Sequence, residues 1–172
     1  MTGLNLPTDA LVEVAALVTD ENLNPIGSGV EVVIKPPAAA LAQMSDFVRQ
    51  MHTESGLLPL LESGTTLVNA QDQVMEYLLS TGVPAGKAPL AGNSLWLDRN
   101  FIARDLPKVN EFLHYRSVDV SSIKELAKRW YPKAYFAAPE KSGNHRALGD
   151  VRDSIAELAH YRASIFRDLS AE

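Results

Sequence analysis

The stretch from Asn144 to Asp153, N-H-R-A-L-G-D-V-R-D, sets a histidine and an aspartate five positions apart. An imidazole takes or gives a proton near neutral pH and a carboxylate holds cations, so His145 and Asp150 are a candidate pair for acid–base or metal-assisted chemistry. Five steps at 3.6 residues per turn place two side chains roughly 140° apart, and on one complete helix they would not face one site. His145 is therefore expected before the helix, where Gly143 and Asn144 suit a loop-to-helix junction. Asp150 then falls in the second turn, on a strip with Ala147 and Ser154, whose small size lets a ligand approach closely. On spacing alone, a loop histidine and a solvated helix carboxylate account for the pair just as simply.

The rest of the chain must position that pair. At 172 residues a single domain spanning 1–172 is expected, long enough to bury a core. With 46% hydrophobic and 22% charged residues, and no apolar run of bilayer-spanning length, the composition points away from a membrane role. Cysteine is absent, which excludes disulfides and thiolate metal sites, and with no leader-like start a cytoplasmic protein is expected. A formal charge of −5 argues against a broad basic groove gripping long nucleic acid. A short substrate whose phosphates are met by metal ions stays possible.

Residues 1–9 read as a loop. Ala10 to Thr19 and Val30 to Ile34 are rich in β-branched residues and predict an antiparallel hairpin with a long turn. Beyond Pro36 and Pro37 a helical region runs to His52 and carries Phe47, and His52 to Leu57 reads as a turn. Val74, Met75 and Leu78 mark a helix capped at Thr65 or Thr66 and stopped by Gly82 and Pro84. A short strand, Ala88 to Ala91, leads into a helix with Ser94 at its cap and Pro107 at its close. Arg116 to Val120 predicts a strand, followed by a helix opened by the capping box Ser122 to Glu125. The segment 132–144 reads as a flap, and the last helix is expected to bury Leu148, Val151, Ile155 and Leu158. A hairpin followed by alternating strands and helices predicts an α/β fold with a mixed sheet flanked by helices.

Three stretches taken in order, G-N-S-L-W-L-D (Gly92 to Asp98), H-Y-R-S-V-D-V-S (His114 to Ser121) and H-R-A-L-G-D (His145 to Asp150), resemble the oligoribonuclease family. Met1 to Leu4, Val12 to Asp20 and Met44 to Leu57 resemble the same family, so the likeness covers nearly the whole chain. It implies a ribonuclease H-like fold and 3′-to-5′ exonuclease chemistry with four acidic residues and a histidine. Asp98 and Asp150 match two ligands of a pair of divalent metal ions, Mg²⁺ or Mn²⁺, and His145 matches the general base. Both aspartates are expected near helix N-termini, where the dipole favours the ionised form.

The resemblance further implies very short RNA as substrate, dinucleotides above all, cleaved to nucleoside 5′-monophosphates. Ser94, Arg116 and Ser121 match a cap around the 5′ phosphate, two hydroxyls and a guanidinium. Leu4 and Phe47 match residues that hold the two bases; the family's usual tryptophan is phenylalanine here, which keeps stacking and loses an indole N–H. His52 matches a histidine near the substrate phosphate. Tyr115 matches a tyrosine lent to the neighbouring subunit's site, implying a homodimer. His114, His160 and Asp119 are expected to be structural.

The match breaks at the start. In the family an Asp-x-Glu pair at the end of a central strand directly precedes Met-Thr-Gly-Leu and supplies the other two metal ligands. The sequence is therefore expected to be N-terminally incomplete, with that strand missing and the polypeptide as written inactive or severely impaired. The competing reading is a non-catalytic dinucleotide-binding protein that keeps the cap and lacks metal chemistry.

Overall fold

The computed structural model describes residues 1–141, 143 and 146–167; His145 lies outside the described residues. The β-branched runs form strands as their composition requires. Glu13–Ala16 (β1) pairs antiparallel with Val30–Val33 (β2), Glu13 opposite Val33. The helical region expected over 38–52 is two helices, Ala38–Ala42 (α1) and Asp46–Glu54 (α2). The break has a local cause: Ser45 is extended and its hydroxyl accepts from the Val48 amide, which starts a new helix. His52, expected at a turn, lies inside α2.

Thr66 caps Leu67–Ser80 (α3), accepting from the Asn69 amide at 3.2 Å. One stripe of α3, Ala70, Val74 and Leu78, packs with Leu11, Val14, Val32, Phe101 and Leu106 in the main core. Burying each of the larger side chains contributes about 1.5–3 kcal/mol. Pro89–Gly92 (β3) is followed by Trp96–Asp105 (α4) and Pro107–Phe112 (α5), then by His114–Asp119 (β4). Pro107 closes α4 and also opens α5, since its fixed φ suits a first helical position where no amide hydrogen is needed.

Strand β4 pairs parallel with β3, Leu90 opposite Ser117 and Gly92 opposite Asp119. Val120–Trp130 (α6) leaves β4 directly, and Pro132–Phe136 (α7) occupies the start of the segment expected as a flap. Ala147–Ile165 (α8) packs on α6 around Val120, Ala127 and Tyr161. The fully buried core-facing residues of α8 are Glu157 and Tyr161, whereas Leu148, Val151, Ile155 and Leu158 are only half-buried. The expectation of an apolar buried strip fails there because a satisfied polar network, described below, takes its place.

The result is an α/β fold of helices around two two-stranded sheets, one antiparallel and one parallel. Among the described residues no ladder joins β1 to β3. Among them, too, no helix is long and apolar enough to cross a membrane.

Candidate functional site

Parallel pairing brings the carboxyl ends of β3 and β4 side by side, the usual place for ligands in such sheets. Ser94 follows β3 with φ at 53°, a left-handed conformation that strains an L residue. Its amide donates to Asp119 Oδ1 at 3.0 Å, and the same oxygen accepts from the Ser121 amide at 2.9 Å. One carboxylate thus gathers both serines. Two expectations are corrected by this. Ser94 does not cap α4, whose cap position is Leu95 with no side-chain hydrogen bond. Ser122 does not start α6, because Asp119 caps it three residues earlier. The Ser94 hydroxyl is used elsewhere, 3.1 Å from Ser121 Oγ.

Arg116 is exposed on β4, its guanidinium carbon 5.3 Å from the centre of the Tyr115 ring. Tyr115 stacks at a tilt on His114 with centroids 4.4 Å apart and is 75% exposed. Ser94, Ser121 and Arg116 thus offer two hydroxyls and one guanidinium from adjoining segments, a donor set suited to phosphate oxygens.

Behind the serines lies a polar network. Asn93 Nδ2 donates to Glu157 Oε2 at 3.0 Å and to Ser121 Oγ at 3.3 Å, and Asn93 Oδ1 stands 2.7 Å from Ser154 Oγ. Glu157 is 2% exposed and is further met by Lys124 at 3.0 Å, Lys141 at 3.5 Å and the Tyr161 hydroxyl at 3.4 Å. Burial pushes the Glu157 carboxyl up, but the hydrogen bonds from Lys124 and Asn93 and the charges of Lys124 and Lys141 hold it below its ordinary value. Burial, followed by the adjacent Glu157 charge, pushes the Tyr161 phenol up to about 12.

The loop 1–10 is closed on Asp9, whose carboxylate accepts from Thr2 Oγ1 at 3.0 Å and from the Asn5 amide at 2.8 Å. Arg104 fastens it to α4 by donating to the carbonyls of Leu6 and Asp9. Gln43 donates to the Thr8 carbonyl at 2.6 Å, and His52 Nε2 lies 2.9 Å from the Met1 carbonyl. Helix α2 is therefore tied to the loop that presents Leu4. Leu4 and Phe47 project from these two elements, 74% and 78% exposed. His52 is buried, no partner among the described residues meets its Nδ1, and desolvation lowers its pKa.

Asp98 sits in the first turn of α4, where burial pushes its carboxyl up, partly opposed by its own amide and by the Met1 ammonium. Asp150 lies in the first turn of α8, not the second. That turn has no local side-chain cap. Glu13 Oε2 accepts from the Ala147 amide at 2.9 Å and Glu31 Oε1 from the Leu148 amide at 3.1 Å, so two strand glutamates cap the helix from a distance. Arg146 joins them, its guanidinium 2.7 Å from Glu13 and 3.3 Å from Glu31.

Residues 1–158 match the family model described as RNase_T, Exonuclease. The chain is 61% identical over 166 residues to an oligoribonuclease of Streptomyces avermitilis, covering 96% of this chain and 83% of that protein. The chain belongs to the oligoribonuclease family. The oligoribonuclease of Cutibacterium acnes is 59% identical over 162 residues, covering 94% of this chain and 80% of its own, and that of Mycobacterium sp. strain KMS is 51% identical over 167 residues, covering 96% and 78%.

Exonucleases of this family generally use divalent metals. Asp98 and Asp150 are hard oxygen donors of the right kind. Among the described residues, however, no group of three or more acidic, histidine or cysteine side chains could hold a metal ion. The two aspartates alone do not make a centre.

Reasoning from sequence passes over Glu13, Asn93 and Glu157. Asn93 lies inside G-N-S-L-W-L-D, with nothing to distinguish it from a turn residue. Asp150, Ser154, Glu157 and Tyr161 recur at helical spacing and read as a solvated face; a tyrosine closing that polar strip was the available signal that it is covered.

Proposed function

We propose that this oligoribonuclease-family chain, as a single exonuclease domain over 1–172, is built for 3′-to-5′ hydrolysis of very short RNA. Dinucleotides are the main substrate and nucleoside 5′-monophosphates the products. The observation that carries the reading is the pair of serine hydroxyls 3.1 Å apart at the ends of β3 and β4, with Arg116 exposed on the same strand. Ser94, Ser121 and Arg116 bind the 5′ phosphate, and a closed cap there stops longer chains from threading past. Leu4 and Phe47 hold the two bases from elements already tied together, and His52 lies at their junction. Tyr115, exposed on β4, serves the neighbouring subunit of a homodimer.

The hydrolysis itself calls for two divalent cations, Mg²⁺ or Mn²⁺, with Asp98 and Asp150 as two of the ligands and His145 as general base. Such ions neutralise the phosphodiester and favour departure of the leaving oxygen. Two carboxylates bring too little negative charge to anchor two dications, so this exact polypeptide turns over slowly or not at all. A cytoplasmic setting fits a scavenger of RNA ends.

A second reading, a dinucleotide-binding protein without turnover, is favoured by the assembled cap beside a described surface that lacks a metal-holding cluster. The deciding assay follows a ribodinucleotide with Mn²⁺ on this chain and on one extended by an apolar strand ending in Asp-x-Glu. Turnover only in the extended chain supports the first reading. Binding without turnover in both supports the second, and equal turnover refutes this account of the metal site.

A further inference from the structure

We propose that Glu157 is a positioning residue that sets the hydrogen-bond polarity of the phosphate cap, working through Asn93 to leave the Ser121 hydroxyl proton free for a substrate phosphate. The proposal rests on the reading of Ser94, Ser121 and Arg116 as that cap.

Donors and acceptors alternate outward from the core. An ionised carboxylate only accepts, and Glu157 is buried among donors: Lys124, Lys141, Tyr161 and Asn93. Facing it, Asn93 must present its NH₂ group, since the opposite flip would set a carbonyl oxygen against the carboxylate. The amide oxygen then points to Ser154 Oγ, 2.7 Å away, which can donate to it. The second amide hydrogen goes to Ser121 Oγ at 3.3 Å. Ser94 Oγ, 3.1 Å from Ser121 Oγ, supplies the next donor.

A serine oxygen that accepts from two neighbours has both lone pairs engaged and keeps its own proton to donate. A phosphate oxygen is an acceptor only. The Ser121 end of the relay therefore has the polarity that phosphate requires, while Ser94, its own proton spent on Ser121, holds that serine in place and Arg116 supplies the further donors. Were Asn93 flipped, its oxygen would draw the Ser121 proton inward and the serine would turn lone pairs toward the phosphate. Glu157 fixes the flip because it is anionic; a neutral amide in its place accepts either orientation.

Lys124 and Lys141 complete the device. Burying a lone carboxylate beside Tyr161 would be costly, and two ammonium groups keep it charged.

The test compares affinities for a 5′-phosphorylated ribodinucleotide and its 5′-hydroxyl counterpart in the unmodified chain, Glu157→Gln, Ser121→Ala and the double variant. The unmodified chain is expected to prefer the phosphorylated ligand. Glu157→Gln should cut that preference about tenfold, leave affinity for the 5′-hydroxyl ligand unchanged, and add nothing once Ser121 is alanine. Equal preference in Glu157→Gln, or equal loss of both ligands, overturns the proposal and leaves the cap reading standing. Absence of preference in the unmodified chain overturns the cap reading and the proposal with it. Should Glu157→Gln fail to fold, Asn93→Ala removes the relay and leaves Glu157 its contacts with Lys124, Lys141 and Tyr161. It should then lower the same ratio about threefold, and an unchanged ratio sinks the relay.

Discussion

Ser94 Oγ lies 3.1 Å from Ser121 Oγ across 27 residues of sequence, held there because Asp119 Oδ1 accepts from both serine amides. Asp119→Ala removes two charge-assisted hydrogen bonds, one of them the cap of α6. A loss of about 1–2 kcal/mol in urea unfolding is expected, with weaker binding of a 5′-phosphorylated dinucleotide. Asp119→Asn keeps an acceptor oxygen and should recover most of both; equal damage from the two variants would argue against the bridging role.

Helix α8 depends on strand glutamates for its start. Glu13→Gln should cost about 2 kcal/mol, since it weakens a half-buried ion pair with Arg146 and the capping of the Ala147 amide. Hydrogen exchange should quicken first at Ala147 and Leu148. Unchanged protection there would mean that α8 holds its own N-terminus.

Phe47 is exposed on α2, so Phe47→Ala should move stability by less than about 0.5 kcal/mol. Dinucleotide affinity should fall by about 1–3 kcal/mol if the ring stacks on a base. Calorimetric titration beside thermal melting separates the two effects, and unaltered affinity would remove Phe47 from the site.

Acid sensitivity should track Glu157. Its folded carboxyl lies below the ordinary value, so its contribution is present above the unfolded pKa of about 4.3 and is lost as pH falls through the lower folded value. Lys124 from α6, Lys141 and the un-ionised Tyr161 face it, and acid leaves the two ammonium groups without their counter-charge. Unfolding curves below about pH 4.3 should be less steep in pH for Glu157→Gln than for the unmodified chain. Parallel curves would place the acid response elsewhere.

A side chain at position 3 has no room. A Cβ on Gly3 would stand 2.4 Å from Asp9 Oδ2, and that carboxylate cannot swing away without breaking its bonds to Thr2 and Asn5. Gly3→Ala should destabilise by about 1–2 kcal/mol and displace Leu4, read as weaker dinucleotide binding. A melting curve identical to the unmodified chain would show the loop to be free of Asp9.

Much of this was legible from residue order. The β-branched runs, the Thr66 cap and the spacing of Val74 and Leu78 are local signals, and they yield β1, β2 and α3 because each depends on neighbours within a turn or two. Three ordered motifs name the family. Local rules also mislead where a distant group intervenes. A serine before a helix reads as its cap, but Asp119 draws the Ser94 backbone into a left-handed turn and leaves the hydroxyl to Ser121. A glutamate on a polar strip reads as solvated, but Lys124, Lys141, Asn93 and Tyr161 satisfy it in the interior. A helix opening at Ala147 has no local cap because its acceptors lie 134 and 117 residues away on β1 and β2. The sequence alone determined which hydroxyls, guanidinium groups and aromatic rings the chain carries and in what order. Only the tertiary structure decided which of their hydrogens and lone pairs are already taken, because that depends on hydrogen bonds between remote segments, which leave no periodic trace along the chain.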